Sequence, residues 1–199
     1  MKKILSLIAG MFLLTSLAFA ENPVQLSVPG TNFPEGNVKG ARLNLLYGRT
    51  HNVTGLNVSV LGLSEVDNFT GLQLGFLLGA AKVNGDFTGV SLALVNWQEG
   101  RSKGLNIGLV NYVKDMKGLN LGLLNYTENE SLINIGFVNY TGGHSTIDIA
   151  FVNYAESTTF QLGLVNATKN LDGLQVGLIN YAENGVLPVL PIVNFRKGL

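Results

Sequence analysis

Gly104-Leu-Asn-Ile-Gly-Leu-Val-Asn-Tyr112 is followed fourteen residues later by Gly118-Leu-Asn-Leu-Gly-Leu-Leu-Asn-Tyr126. At the same interval come Leu132-Ile-Asn-Ile-Gly-Phe-Val-Asn-Tyr140 and Thr146-Ile-Asp-Ile-Ala-Phe-Val-Asn-Tyr154. Looser copies stand upstream, at Gly55-Leu-Asn-Val-Ser-Val-Leu61, Gly71-Leu-Gln-Leu-Gly-Phe-Leu77 and Gly89-Val-Ser-Leu-Ala-Leu-Val-Asn-Trp97. Two more follow downstream, at Phe160-Gln-Leu-Gly-Leu-Val-Asn-Ala167 and Gly173-Leu-Gln-Val-Gly-Leu-Ile-Asn-Tyr181. A fixed period of this length marks a repeat architecture, in which each unit is stable only against its neighbours.

With Gly104 as position one, each position obeys a chemical rule. The second and fourth are bulky and apolar. The third is always polar, from Asn57 through Asn106, Asn120 and Asn134 to Asp148 and Gln175. The fifth is always small, and the eighth is Asn at residues 96, 111, 125, 139, 153, 166, 180 and 194. Alternation of apolar and non-apolar residues over positions two to five has period two, which is strand; a helix would need period 3.6 and would be weakened by its interior glycines. Polar connectors such as Lys114-Asp-Met-Lys117 and Gly142-Gly-His-Ser145 read as turns. Pro23, Pro29 and Pro34 precede the array and Pro188 and Pro191 end it, with none between 35 and 187, where proline would delete a ladder hydrogen bond.

The fold expected is all-β, a parallel β-solenoid of about 14-residue coils. Equivalent residues then lie one above the other at ~4.8 Å, so the recurring Asn forms a ladder, the aromatics a column and the small position a tight corner. The alternative is an antiparallel meander or barrel with one strand per unit. Leu105, Ile107 and Leu109 would then face lipid while Asn106 and Gly108 line a lumen. That alternative leaves the identical Asn in every unit without a reason, and its uniformly short connectors are unlike those of membrane barrels. The expected organisation is residues 1–20 as a signal peptide, 21–40 as an N-terminal capping segment, 41–186 as the array and 187–199 as a proline-containing C-terminal cap.

The leader combines Lys2 and Lys3 with an apolar run from Ile4 to Phe19 and small residues at Ala18 and Ala20. It predicts export with cleavage before Glu21, to the periplasm, the outer membrane or the cell surface. The chain has no Cys, which excludes disulfides, thiolate chemistry and a lipid-modified leader cysteine. Without Lys2 and Lys3 the rest has two more acidic than basic side chains, so no attraction to a phosphate backbone and no nucleic-acid partner are expected. Charged residues are only 13% of the chain, against a globular norm of about 25%.

The order of these motifs resembles a family of bacterial surface-repeat proteins of unknown activity. The resemblance is carried by the Gly-Leu-Asn/Gln-Ile/Leu-Gly-Leu-Val-Asn-Tyr unit, the lead-in Val38-Lys-Gly-Ala-Arg-Leu-Asn-Leu-Leu-Tyr-Gly48 and the closing Leu187-Pro-Val-Leu-Pro-Ile-Val-Asn-Phe195. It covers residues 28 to 195 and implies an envelope or surface location, with no catalytic residues to carry over. The unit Phe160 to Ala167 departs from it by losing one residue and its aromatic.

His51 and His144 fall in connectors without ligand spacing, and the acidic connector residues recur at no single unit position, so no metal, cofactor or enzymatic activity is expected. The most suggestive feature is the aromatic series Trp97, Tyr112, Tyr126, Tyr140, Tyr154 and Tyr181. It reads either as an exposed stripe binding a surface macromolecule, protein or glycan, or as a column that stabilises the coils, the latter being favoured because an exposed aromatic column is a solubility hazard. The function expected is that of a non-enzymatic structural or adhesive element of the cell envelope. Its alternative is a small outer-membrane barrel acting as a channel or scaffold.

Overall fold

The computed structural model describes residues 21–198, so the signal-peptide reading of residues 1–20 lies outside the described residues. Its strands are β1 (Asn22–Val28), β2 (Thr31–Phe33), β3 (Val38–Asn44), β4 (Tyr47–Val83), β5 (Phe87–Leu92) and β6 (Val95–Ile107). They continue with β7 (Val110–Thr127), β8 (Ser131–Ile149), β9 (Val152–Leu162), β10 (Val165–Ala182) and β11 (Val189–Phe195). From β3 to β10 each strand pairs in parallel with the next. The register is the sequence repeat itself: Asn106 pairs with Asn120, Asn120 with Asn134, and Asn125 with Asn139. This is a stack of about 11 β-solenoid turns. The parallel pairing rules out the antiparallel meander and barrel, whose neighbouring strands must run in opposite directions. Antiparallel pairing is confined to the two ends, where β2 folds back on β1 and β11 on β10.

Packing at position one explains its glycines. Gly104 has φ +132°, and a Cβ there would lie 1.9 Å from the carbonyl oxygen of Gly89 in the coil before. Only a residue without a side chain brings the two backbones so close. At position five the constraint comes from inside the coil: a Cβ on Gly136 would meet Gly122 O at 2.4 Å and Asn125 Nδ2 at 2.8 Å.

The interior is polar, which reverses the ordinary arrangement. Position three is buried along the stack, from Gln25 and Arg42 to Gln161 and Gln175, and so is the Asn at position eight. Each position-eight amide donates to the next: Asn96 to Asn111 and Asn111 to Asn125, both at 2.7 Å, then Asn125 to Asn139 at 2.8 Å. The series runs on through Asn153 and Asn166 to Asn180. The second N–H of each amide goes to a position-four carbonyl of the following coil, as in Asn111 to Leu121 O and Asn125 to Ile135 O. An Asp lacks the donors for this, and a longer Gln would not fit the tight corner. An apolar cluster of Val38, Val53, Val66, Phe69, Val83 and Phe87 fills the N-terminal coils, and single buried apolar side chains such as Val113, Met116 and Leu171 follow farther along.

Asn125→Ala removes two donated bonds and one accepted bond and leaves Asn139 Oδ1 without its donor inside the tube. The expected loss is about 3 kcal/mol, from the orphaned partners plus the void, measured by urea unfolding.

Candidate functional surface

The position-three ladder has a direction set by its charged members. Asn106, Asn120 and Asn134 donate forward, ending on Asp148 Oδ1 at 2.9 Å. Gln175 donates back to Gln161, and Gln161 back to Asp148 Oδ2 at 3.5 Å. A carboxylate has only acceptors, so the two runs converge on it, with Ser145 Oγ adding a third donor at 2.7 Å. Arg42 is the opposite case, a buried group with only donors, bonded to Gln25, Ser27 and Ser64. Burial lowers its guanidinium to about 10. Burial likewise raises the Asp148 carboxyl above its ordinary value, against the hydrogen bonds from Asn134, Ser145 and Gln161. Both groups are sealed within the tube and present nothing to a substrate.

Outside, charge and apolar surface occupy separate flanks. Outward columns at positions two and four are Leu, Ile, Val and Phe through the regular coils. At the corner, position six forms a protruding ridge: Leu109, Leu123, Phe137, Phe151, Leu164 and Leu178 are all exposed, Leu123 at 57% and Leu178 at 66%. Position seven continues it with Val110, Leu124, Val138, Val152, Val165 and Ile179. None of these four columns contains a charged residue among the described residues. With ~4.8 Å per turn and ~3.3 Å per strand residue, the flank measures roughly 50 Å by 15 Å. That is well above the few hundred Å² of contiguous apolar surface usual on soluble monomers.

The ionic side chains lie on the polar connectors between units, which the structure carries mostly as strand within β4, β6, β9 and β10 instead of as turns. There coils exchange ion pairs: Arg49 with Asp67, Lys82 with Glu99, Arg101 with Asp86 and Lys169 with Glu156. Such exposed pairs contribute about 0–1 kcal/mol each. Hydrogen bonds from His51 and Asn84 hold the Asp67 carboxyl below its usual range. His144 contacts Ser157 at 3.1 Å. Among the described residues no cluster of three or more His, Asp or Glu is placed to hold a metal ion. A cavity of about 390 Å³ by the β1–β2 hairpin is lined by Asn32, Glu35, Tyr47, Arg49, Thr50 and His51. Three of its polar side chains are already engaged, Asn32 with Arg49 O, Thr50 with Gly36 O and His51 with Asp67.

The aromatic series runs along the border between the two flanks. Tyr112, Tyr126, Tyr140 and Tyr154 stack with ring centroids 5.0–5.1 Å apart and nearly parallel planes. Trp97 meets Tyr112 edge-on at 5.8 Å and carries Lys82 Nζ 4.6 Å above its ring. Tyr181 is separated from this column because Ala167 occupies the place next to Tyr154. The rings are partly open to solvent, Tyr126 at 39%. The Tyr112 hydroxyl donates to Glu128, which pushes the phenol up to about 12. The column is thus both a stacked coil element and an accessible edge.

Reading the sequence identified this aromatic column but not the ridge beside it. The signal for the ridge was present: positions six and seven are both apolar in every regular unit, and a strand cannot turn two successive side chains inward. With position eight committed to the interior, position seven had to point out. Comparison with protein-family models, with curated proteins and with solved structures finds no match in any of the three.

Two expectations follow for the ladders and the column. Asp148→Asn is expected to raise the melting temperature at pH 7 by a few degrees, since an amide carries no desolvated charge and continues the ladder once Gln161 and Gln175 reverse their amides to accept from it. Because the folded Asp148 lies above its unfolded value of about 3.9, native stability is lost as pH rises between the two, so the variant's advantage should shrink on acidification toward pH 4. Replacing Tyr126 and Tyr140 together by Ala should cost about 1–3 kcal/mol in urea unfolding through lost stacking.

Proposed function

We propose that this chain is a non-enzymatic, exported repeat protein of the bacterial cell envelope or surface, a rigid structural or adhesive element that works through its outer flanks. One observation carries this reading: the polar side chains are either locked in interior ladders or paired on connectors, while the largest feature offered to the surroundings is a continuous apolar flank. General acid–base or nucleophilic chemistry needs polar groups converging on a space a substrate can enter. Here the ladder amides from Asn96 to Asn180 spend their hydrogen bonds on one another and on backbone carbonyls, and the unpartnered groups, such as Gln73, are buried out of a substrate's reach. A channel is not part of the proposal, because the tube is filled by side chains.

Export rests on the leader from Lys2 to Ala20, and the envelope assignment on the resemblance of the Asn-Tyr units to bacterial surface repeats. A repeat stack suits a structural role, since it presents a long, stiff surface whose dimensions scale with the number of coils. Cell fractionation with N-terminal sequencing tests the proposal. The expected result is a protein beginning at Glu21 in the envelope fraction or on the cell surface. An unprocessed chain confined to the cytoplasm would overturn it.

A further inference from the structure

We infer that the charge-free flank is immersed in the hydrocarbon of a lipid leaflet, with the solenoid lying flat on the bilayer instead of crossing it. This deepens the envelope reading by naming the partner of its surface. Three observations lead to lipid. The first is segregation: the outward columns at positions two, four, six and seven hold no ionised side chain among the described residues, while the connectors hold ion pairs. Immersing this flank therefore transfers no charge out of water.

The second is what stands at its two borders. Along one edge runs the Trp97 to Tyr154 column, rings beside the apolar ridge; the Tyr112 hydroxyl is bonded to Glu128 on the connector side. Along the other edge Thr70, Thr88, Lys103 and Lys117 stand in register, all exposed. Amphipathic aromatics and long-stemmed lysines are the residues that settle at the level where hydrocarbon meets headgroups.

The third is shape. The flank has two faces, columns two and four on one side of the corner and the aromatic column on the other, with the Leu109–Leu178 ridge projecting between them. A second rigid copy could press flat against one face but would leave the other face and the ridge in water. Fluid hydrocarbon wraps both. Because hydrocarbon burial and not headgroup charge drives the association, it should occur on zwitterionic lipid and persist in high salt.

The test is flotation of residues 21–199, which contain every coil, with phosphatidylcholine vesicles at low and high salt. Trp97, the single Trp of the chain, reports on its own surroundings. The expected result is co-flotation at both salt concentrations with a blue shift of Trp97 emission. Phe137→Ser with Phe151→Ser removes two exposed ridge side chains, and should weaken partitioning by about tenfold or more while circular dichroism stays unchanged. Absence of flotation, flotation unchanged in the folded double variant, or a stable dimer that shifts Trp97 without lipid would each overturn the inference. If the double variant does not fold, quenching of Trp97 in the unaltered chain by brominated-chain phosphatidylcholine decides, with quenching expected and its absence fatal. Flotation by a protein found in the cytoplasm would remove the envelope reading alone. Envelope retention without flotation would remove the lipid inference alone.

Discussion

The position-eight amide ladder is the interaction on which the rest of the structure depends. Each Asn accepts from the coil before, donates to the coil after and donates again to a backbone carbonyl at the corner, as Asn125 does with Asn111, Asn139 and Ile135 O. The geometry exists only when identical residues stand directly above one another, so a slip of a single residue would break every bond at once. Register is thereby specified by hydrogen bonds, beside a smaller set of buried apolar side chains. It also dictates the corner: the amide fills the space inside it, and position five is left with room for small residues only, Gly or Ala in the regular coils and Ser59 upstream.

A polar filling has consequences for the exterior. A 14-residue coil has few inward positions; polar side chains hold the third along the stack, and Asn holds the eighth from Asn96 onward. The aliphatic side chains of the unit are then displaced outward, where they cover one another along the stack without being removed from water. Stability comes from the hydrogen-bonded interior and the stacking of like side chains, while much of the apolar surface that ordinarily drives folding stays on the outside. The amphipathic asymmetry of the rod, charges on the connectors and none on the flank, results directly from this exchange.

Within the ladders, the two ionisable members are placed where their one-sided hydrogen bonding is tolerated. Asp148, an acceptor only, sits where forward and backward runs of donors meet. Arg42, a donor only, stands near the N-terminal end among Gln25, Ser27 and Ser64. Neither forms an ion pair among the described residues, and burial moves each toward its neutral form.

Much was determined by the amino-acid sequence alone. The 14-residue period, the period-two alternation and the invariant Asn define a parallel stack, because only parallel coils place Asn on Asn and Tyr on Tyr. The aromatic column, and its interruption at Ala167, followed from the same register. What only the tertiary structure decided is which face of each strand is inside. Alternation states that neighbouring side chains point opposite ways, and is silent about which set is enclosed. Ordinary hydrophobicity would have buried Leu105, Ile107 and Leu109; the closed coil instead encloses Asn106 and Asn111, because once stacked their amides bond to the amides of the neighbouring coils, to Gln98 and to the Leu121 carbonyl inside the tube.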